Sequence, residues 1–224
     1  MIHRPSSSFI LEGPVVSHRA GGANEILLQR IVIDTETGLI QSVEEINEAS
    51  SRADLRLGDD YLIFPGFIDV HVHAREDVTG SHSYKETFES AGQAAIRGGV
   101  TAFLDMPNNP CPPVDDASYT AKRELASQCP VDVLLYAGIG PRTRPLSFPV
   151  PYKAYMGPSI GDLYFQSEES LRQALARYRG HRVSFHAEDP ALLAQHKNAP
   201  THAERRPAAA EVQAVETAIA LSEA

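Results

Sequence analysis

The stretch that decides the fold is Phe64-Pro-Gly-Phe-Ile-Asp-Val-His-Val-His-Ala-Arg75, an apolar run that ends in two histidines separated by one residue. Read as a strand, it enters the protein interior. Side chains two apart on a strand face the same side, so His71 and His73 point together from its C-terminal end. Neutral imidazoles are favoured zinc ligands, and two on one strand supply half a metal site before any loop has folded. The alternative is a satisfied core histidine beside an exposed one.

Working outward from this run, helical and strand patterns alternate. Ser83 with Glu86 three residues later predicts a capping box. Phe88, Ala91, Ala95 and Ile96 then recur at helical spacing, and Gly98-Gly99 ends the helix. Gly99 to Asp105 predicts a buried strand. Asp115 and Asp116 can cap a second helix running to about Gln128, where Pro130 stops it. Val131 to Ala137 and Tyr152 to Met156 predict two more strands. Ser167 opens a helix with Leu171, Leu175 and Tyr178 on one face and Gly180 as its stop. Arg182 to His186 is the next strand, and Pro190 opens a helical stretch after it. Pro207 is expected at the first position of a last helix whose inner stripe is Val212, Val215 and Ile219.

Such alternation indicates parallel βαβ units. Five strands are counted after residue 64, whereas a closed (β/α)8 barrel needs eight. The expected fold is therefore α/β, a partial barrel over residues 65–224 that is truncated at its C-terminus. Residues 1–64 read as a small β subdomain, with strand patterns around Ile26, Leu28 and Ile31 to Ile33 and a turn at Glu36-Thr37-Gly38. A second pair of strands is expected to flank Gly58-Asp59-Asp60.

Two further residues carry chemistry. Lys153 is the lone charge in Val150-Pro-Tyr-Lys-Ala-Tyr-Met-Gly157, and an apolar strand penalises an ammonium unless it is neutralised or paired. Carboxylation by CO₂ would make it an anionic carbamate able to bridge two cations; a snorkelling lysine at a strand end is the other reading. His186 closes Val183-Ser-Phe-His186, and Glu188 or Asp189 could orient its ring. Asp189 also suits the start of the helix at Pro190. His71, His73, Lys153 and His186 are all expected at C-terminal strand ends, the face where barrel enzymes keep their sites.

The bulk composition narrows the class. A net charge of −9 without any basic patch argues against nucleic-acid binding. The start of the chain lacks the apolar run of a signal peptide, and nothing is long and apolar enough to span a membrane, so a cytoplasmic protein is expected. Cys111 and Cys129 have no ligand spacing and read as two thiols in a reducing compartment.

These residues resemble the amidohydrolase superfamily and, within it, the dihydroorotases. The matching segments are 65–76, Lys-Glu-Thr-Phe-Glu-Ser-Ala at 85–91, Gly-Gly-Val-Thr at 98–101, Asp-Met-Pro-Asn at 105–108, Tyr-Lys-Ala-Tyr-Met-Gly at 152–157 and His-Ala-Glu-Asp at 186–189. His-x-His is shared across the superfamily, whereas Arg75 and Asn108 together are specific to dihydroorotases. The resemblance implies a two-zinc centre. His71, His73 and Lys153 would hold the more buried ion, and Lys153 as a carbamate together with His186 would reach the other. Arg75 and Asn108 would bind the carboxylate of dihydroorotate, on its way to N-carbamoyl-aspartate. A further His ligand and the Asp that serves as general acid–base are expected beyond Ala224, which makes the 224-residue chain alone an incomplete, inactive fragment. Two motifs depart from the pattern: the usual Arg-Glu-Pro-Gly reads Arg75-Glu-Asp-Val78, and the usual Met-Pro-Asn-Thr reads Met106-Pro-Asn-Asn109.

Alternatives stay open at this level. Hydantoinase-like, dihydropyrimidinase-like and allantoinase-like enzymes share the histidines and the lysine, but Arg75 and Asn108 discriminate against them. A non-catalytic scaffold for aspartate transcarbamoylase would be expected to have lost ligands, and all four are present. Assembly as a homo-oligomer, or with aspartate transcarbamoylase as partner, is an expectation of the resemblance.

Overall fold

A computed structural model describes residues 7–18, 22–48, 52–157, 159, 163–165 and 167–223. The opening stretch read above for a leader (residues 1–6) lies outside these, as does Ala224. The chain divides into two compact units, Met1–Pro65 and Gly66–Ala224.

The first unit is a four-stranded sheet of β1 (Ser8–His18), β2 (Asn24–Asp34), β3 (Ile40–Glu45) and β4 (Leu55–Arg56), in the order β3-β2-β1-β4. β1 runs antiparallel to β2 from Ser8↔Asp34 to His18↔Asn24, and β4 is parallel to β1. The turn after β2 forms because Asp34 accepts the backbone N–H groups of Glu36 and Thr37, at 2.8 and 3.1 Å, and Gly38 adopts φ 71°. The sequence reading missed β1. Its pattern is interrupted by Gly13-Pro14 and by Glu12, which is fully buried and paired with Arg30 at 2.8 Å. The segments flanking Gly58 do not pair with each other; β4 and Ile63 both align with β1.

The second unit alternates strands and helices: β5 (Phe67–Val72), α1 (Phe88–Arg97), β6 (Val100–Asp105), α2 (Asp116–Ala126), β7 (Asp132–Leu135), β8 (Ala137–Ile139), β9 (Tyr152–Tyr155), α3 (Glu168–Leu175), β10 (Val183–His186), α4 (Pro190–His196), α5 (His202–Arg205) and α6 (Ala208–Ser222). All its ladders are parallel, in two sheets ordered β5-β6-β7 and β10-β9-β8. Phe103, Leu135, Ile139, Tyr152 and Ala154 from the strands pack against Phe88, Tyr119, Leu171, Ala174 and Ala214 from the helices. Burying aromatic and aliphatic side chains of this size contributes about 1.5–3 kcal/mol each.

Several expectations need correction. The strand expected from Val131 to Ala137 breaks at Tyr136, whose N–H donates to Asp105 O at 3.0 Å while Ala137 N–H donates to Pro151 O at 2.9 Å. The chain thereby changes sheets, and six strand segments stand where five strands were counted. β5 is not interior: Phe67, Ile68 and Val70 are exposed, because β5 lies at one end of its sheet and pairs with β6 alone. The first helix begins at Phe88, with Thr87 and Ser90 forming the capping box; Ser83 lies in a turn. In α6 the inward face is Ala210, Ala214 and Leu221, and Val212, Val215 and Ile219 are exposed. That helix is apolar nearly all round, so periodicity alone could not choose its face; the alanine face allows the closer backbone approach. Asp115 and Ser167 cap α2 and α3 as expected.

Candidate metal centre

Each candidate residue is placed by the strand that carries it. His71 is the fifth residue of β5, and His73 lies one residue beyond its end. Their ring centroids are 5.2 Å apart. His186 ends β10 in register with Tyr155 of β9. Lys153 is the second residue of β9, opposite Ser184 and Gly138, so it is not at a strand end as expected. The length of its side chain compensates: Nζ donates to Phe185 O at 3.1 Å, one residue before His186. Lys153 is 3% exposed, which rules out the snorkelling reading.

The electrostatics show that these groups share one neighbourhood. Burial lowers the His71 pKa, and the positive charges of Lys153 and His186 push it the same way against Asp69. Burial takes His73 down to about 4, with Arg75, His71 and Lys153 adding to the effect and Asn108 opposing it. His73 is therefore neutral at pH 7, the protonation state a ligand needs. Its Nδ1 is buried without a hydrogen-bond partner among the described residues. Burial lowers Lys153 to about 8, which leaves part of the amine uncharged and nucleophilic near neutral pH.

His186 Nε2 lies 3.0 Å from Glu188 Oε2, and Arg206 Nη1 contacts the same oxygen. Burial alone would raise Glu188, but Arg206 and His186 outweigh it and hold the carboxyl below its ordinary range. Asp189 instead caps α4, accepting Leu192 N–H at 2.8 Å. Of the two acids offered by the sequence, Glu188 therefore orients the ring.

Beside the histidines stands a corner built from Arg75 and Asn108. Arg75 Nη1 donates to Asn108 O at 3.5 Å. Among the described residues Arg75 has no ion pair, because Glu76 accepts Phe88 N–H at 2.8 Å and Asp77 accepts Cys111 N–H at 2.8 Å. Asn108 Nδ2 donates to Ser159 Oγ at 3.4 Å, and among the described residues its Oδ1 and the Tyr155 hydroxyl are buried without a well-formed hydrogen bond. Behind the corner, Asp105 pairs with Lys122 of α2 at 2.6 Å. The sequence reading missed Lys122. Its signal was a lysine on the buried stripe Tyr119, Lys122, Ala126.

The donor set fits a metal on its chemistry. His73 offers a buried, neutral and unpartnered nitrogen, and His71 stands beside it. Among the described residues no three His, Cys, Asp or Glu side chains gather as a metal-binding group. A metal here would accordingly need Lys153 to contribute as an anion. Cys111 and Cys129 are free thiols. No helix among the described residues is long and apolar enough to cross a membrane.

Residues 62–199 match the model of the Amidohydrolase family. The chain is 31% identical to a dihydroorotase of Pyrococcus furiosus over 83% of this chain and 42% of that protein. It is 32% identical to a dihydroorotase of Thermococcus kodakarensis over 90% of this chain and 44% of that protein. It thus spans somewhat less than half the length of those relatives. In fold it is similar to L-hydantoinase from Arthrobacter aurescens, with a TM-score of 0.76, 21% identity, and coverage of 97% of this chain and 51% of that one.

Proposed function

This chain belongs to the amidohydrolase family, and from that membership we propose that it supplies the site residues of a dihydroorotase. The reaction is the reversible, zinc-dependent opening of the cyclic amide of dihydroorotate to N-carbamoyl-aspartate, a step of pyrimidine biosynthesis. On this reading residues 65–224 are part of a (β/α)8 barrel whose site lies at the strand ends, and residues 1–64 are a separate β subdomain.

His71, His73 and carboxylated Lys153 would hold one zinc, and Lys153 with His186 the other. Zinc, when bound, polarises the amide carbonyl and acidifies a water. The chain's own residues do the rest. Burial of Lys153 keeps part of its amine uncharged for reaction with CO₂. Glu188 fixes the ring of His186. Arg75 presents a guanidinium whose planar fork suits a carboxylate, and Asn108 adds a side-chain amide next to it. The general acid–base carboxylate is not assigned among the described residues.

The single observation that carries the substrate is Arg75. It is a cation without an acidic partner among the described residues, held against Asn108 beside two neutral histidines. A hydantoinase-like substrate lacks the carboxylate that would use it. The test is to load the purified protein with zinc in bicarbonate and measure binding of dihydroorotate, dihydrouracil, hydantoin and allantoin. Dihydroorotate should bind about tenfold tighter than dihydrouracil, the value of one charge-assisted pair. Preference for a ring without a carboxylate would overturn the reading in favour of a hydantoinase-like one.

A further inference from the structure

We infer that Asp77, Asn109 and Lys122 form a buried positioning network that locks Arg75 and Asn108 into one rigid corner, and so set the preference for a carboxylate-bearing ring. The inference rests on the dihydroorotase reading only for the identity of the ligand.

Arg75 has φ 61°, the only positive value at a non-glycine among the described residues. A long side chain in this region is strained and persists only where its surroundings hold it. Both sides of Arg75 are in fact tied down. Ala74 N–H donates to Asp105 Oδ1 at 2.7 Å, and Glu76 caps the start of α1 through Phe88 N–H. Asp77 accepts Thr79 N–H at 2.9 Å and the Thr79 hydroxyl on one oxygen, and Cys111 N–H at 2.8 Å on the other. That last bond joins the loop after β5 to the loop after β6, which carries Asn108.

Lys122 holds the end of β6 and the loop after it, and Asp105 passes that hold to Ala74 in the loop after β5. The Lys122 ammonium contacts Asp105 Oδ2, Asn109 Oδ1 and Met106 O. Asp77, Asp105, Asn109 and Lys122 are each 3% exposed or less. In so dry a setting, hydrogen bonds to charged groups are strong and unpaired members costly, so the network is satisfied as a unit or disrupted as one. The ammonium of Lys122 lies against Asp105 at 2.6 Å, whereas Arg75 makes no ion pair among the described residues. Asp77 and Asn109 are also among the positions, with Val78, where the two loop motifs depart from the dihydroorotase pattern, and the Lys122 charge acts on Asp77 as well.

The experiment uses the full chain with dihydroorotate and dihydrouracil, the same ring with and without the carboxylate. Calorimetry gives the ratio of their dissociation constants, and amide exchange reports the Ala74 and Cys111 N–H groups. In Asn109→Ala and Lys122→Met the preference for dihydroorotate should fall about tenfold while dihydrouracil binding stays within about twofold. A merely structural role would weaken both ligands alike. The Ala74 and Cys111 amides should exchange about tenfold faster, although neither is bonded to the altered residue. Unchanged preference and unchanged exchange would overturn the inference. Should Lys122→Met fail to fold, Asn109→Ala decides, since it leaves the ion pair intact. Absence of any preference in the unaltered chain would instead overturn the dihydroorotate reading, and amide exchange alone would then judge the network.

Discussion

The rings of His71 and His73 lie 5.2 Å apart at the end of β5, and the same burial that makes His73 neutral leaves its Nδ1 without a partner. If this pair is the heart of a zinc site, His71→Ala combined with His73→Ala should remove the bound metal. Elemental analysis of the purified protein checks this, and undiminished zinc in the double variant would refute the ligand assignment.

Lys153 is tested separately. In the full-length protein, if Lys153 bridges two zincs as a carbamate, Lys153→Ala should abolish ring opening, because losing that anion leaves two cations with too few donors. A short carboxylic acid in the assay should restore part of the rate. Normal turnover in this variant would show that the lysine only fills its strand.

Replacing a planar fork by a point charge discriminates binding from chemistry. In the full-length protein Arg75→Lys should raise KM for dihydroorotate by up to about tenfold, as expected when a point charge replaces a bidentate fork, with a smaller effect on kcat. The same substitution should leave dihydrouracil unaffected. Equal loss for both rings would place Arg75 outside the carboxylate site.

Asp77 makes a prediction about acid stability. Burial alone would raise its pKa, but the bonds from Thr79 and Cys111 and the charge of Lys122 outweigh burial and bring it below 3.8. A carboxyl with a depressed folded pKa stabilises the fold above its unfolded value and loses that contribution as pH falls through the folded one. Asp77→Asn should therefore be less stable than the unaltered protein at pH 7. The gap should narrow below pH 3.8, as seen by denaturant midpoints across pH. A gap that persists undiminished in acid would show that the ionised carboxylate is not what matters.

The last helix offers a packing test. Ala214 is fully buried and Val215 is exposed. Ala214→Leu should destabilise the chain by about 1–3 kcal/mol through overpacking. Val215→Ala should change stability by no more than about 0.5 kcal/mol. The opposite ranking in thermal unfolding would restore the stripe of Val212, Val215 and Ile219 as the inner face.

Much of this was legible in the residues. Gly98-Gly99, Asp115 and Ser167 are local signals, and local signals survive folding. His-x-His at the end of an apolar run is likewise complete within one strand, and Glu188 lies two residues from the ring it orients. What stayed hidden depends on partners distant in sequence. The break at Tyr136 is set by acceptors at Asp105 and Pro151. The role of Lys122 comes from Asp105 and Asn109, which lie 17 and 13 residues away along the chain. The face of α6 is chosen by fit, since valine and alanine are both apolar. Thr87 outcompeted Ser83 as a cap because Glu76 already holds the Phe88 N–H.

The tie between Glu188 and Arg206, together with Asp189 N–H donating to Ala210 O at 2.9 Å, has a consequence for how the protein is made. A chain synthesised from its N-terminus at about 5–20 residues per second exposes His71, His73 and Lys153 well before Arg206 leaves the ribosome. The acid that orients His186 is not itself braced until α6 has begun. If these residues hold zinc, a nascent chain would meet its first metal with three donors and only later secure the fourth, so zinc supplied during translation and zinc supplied after release should load it by different routes.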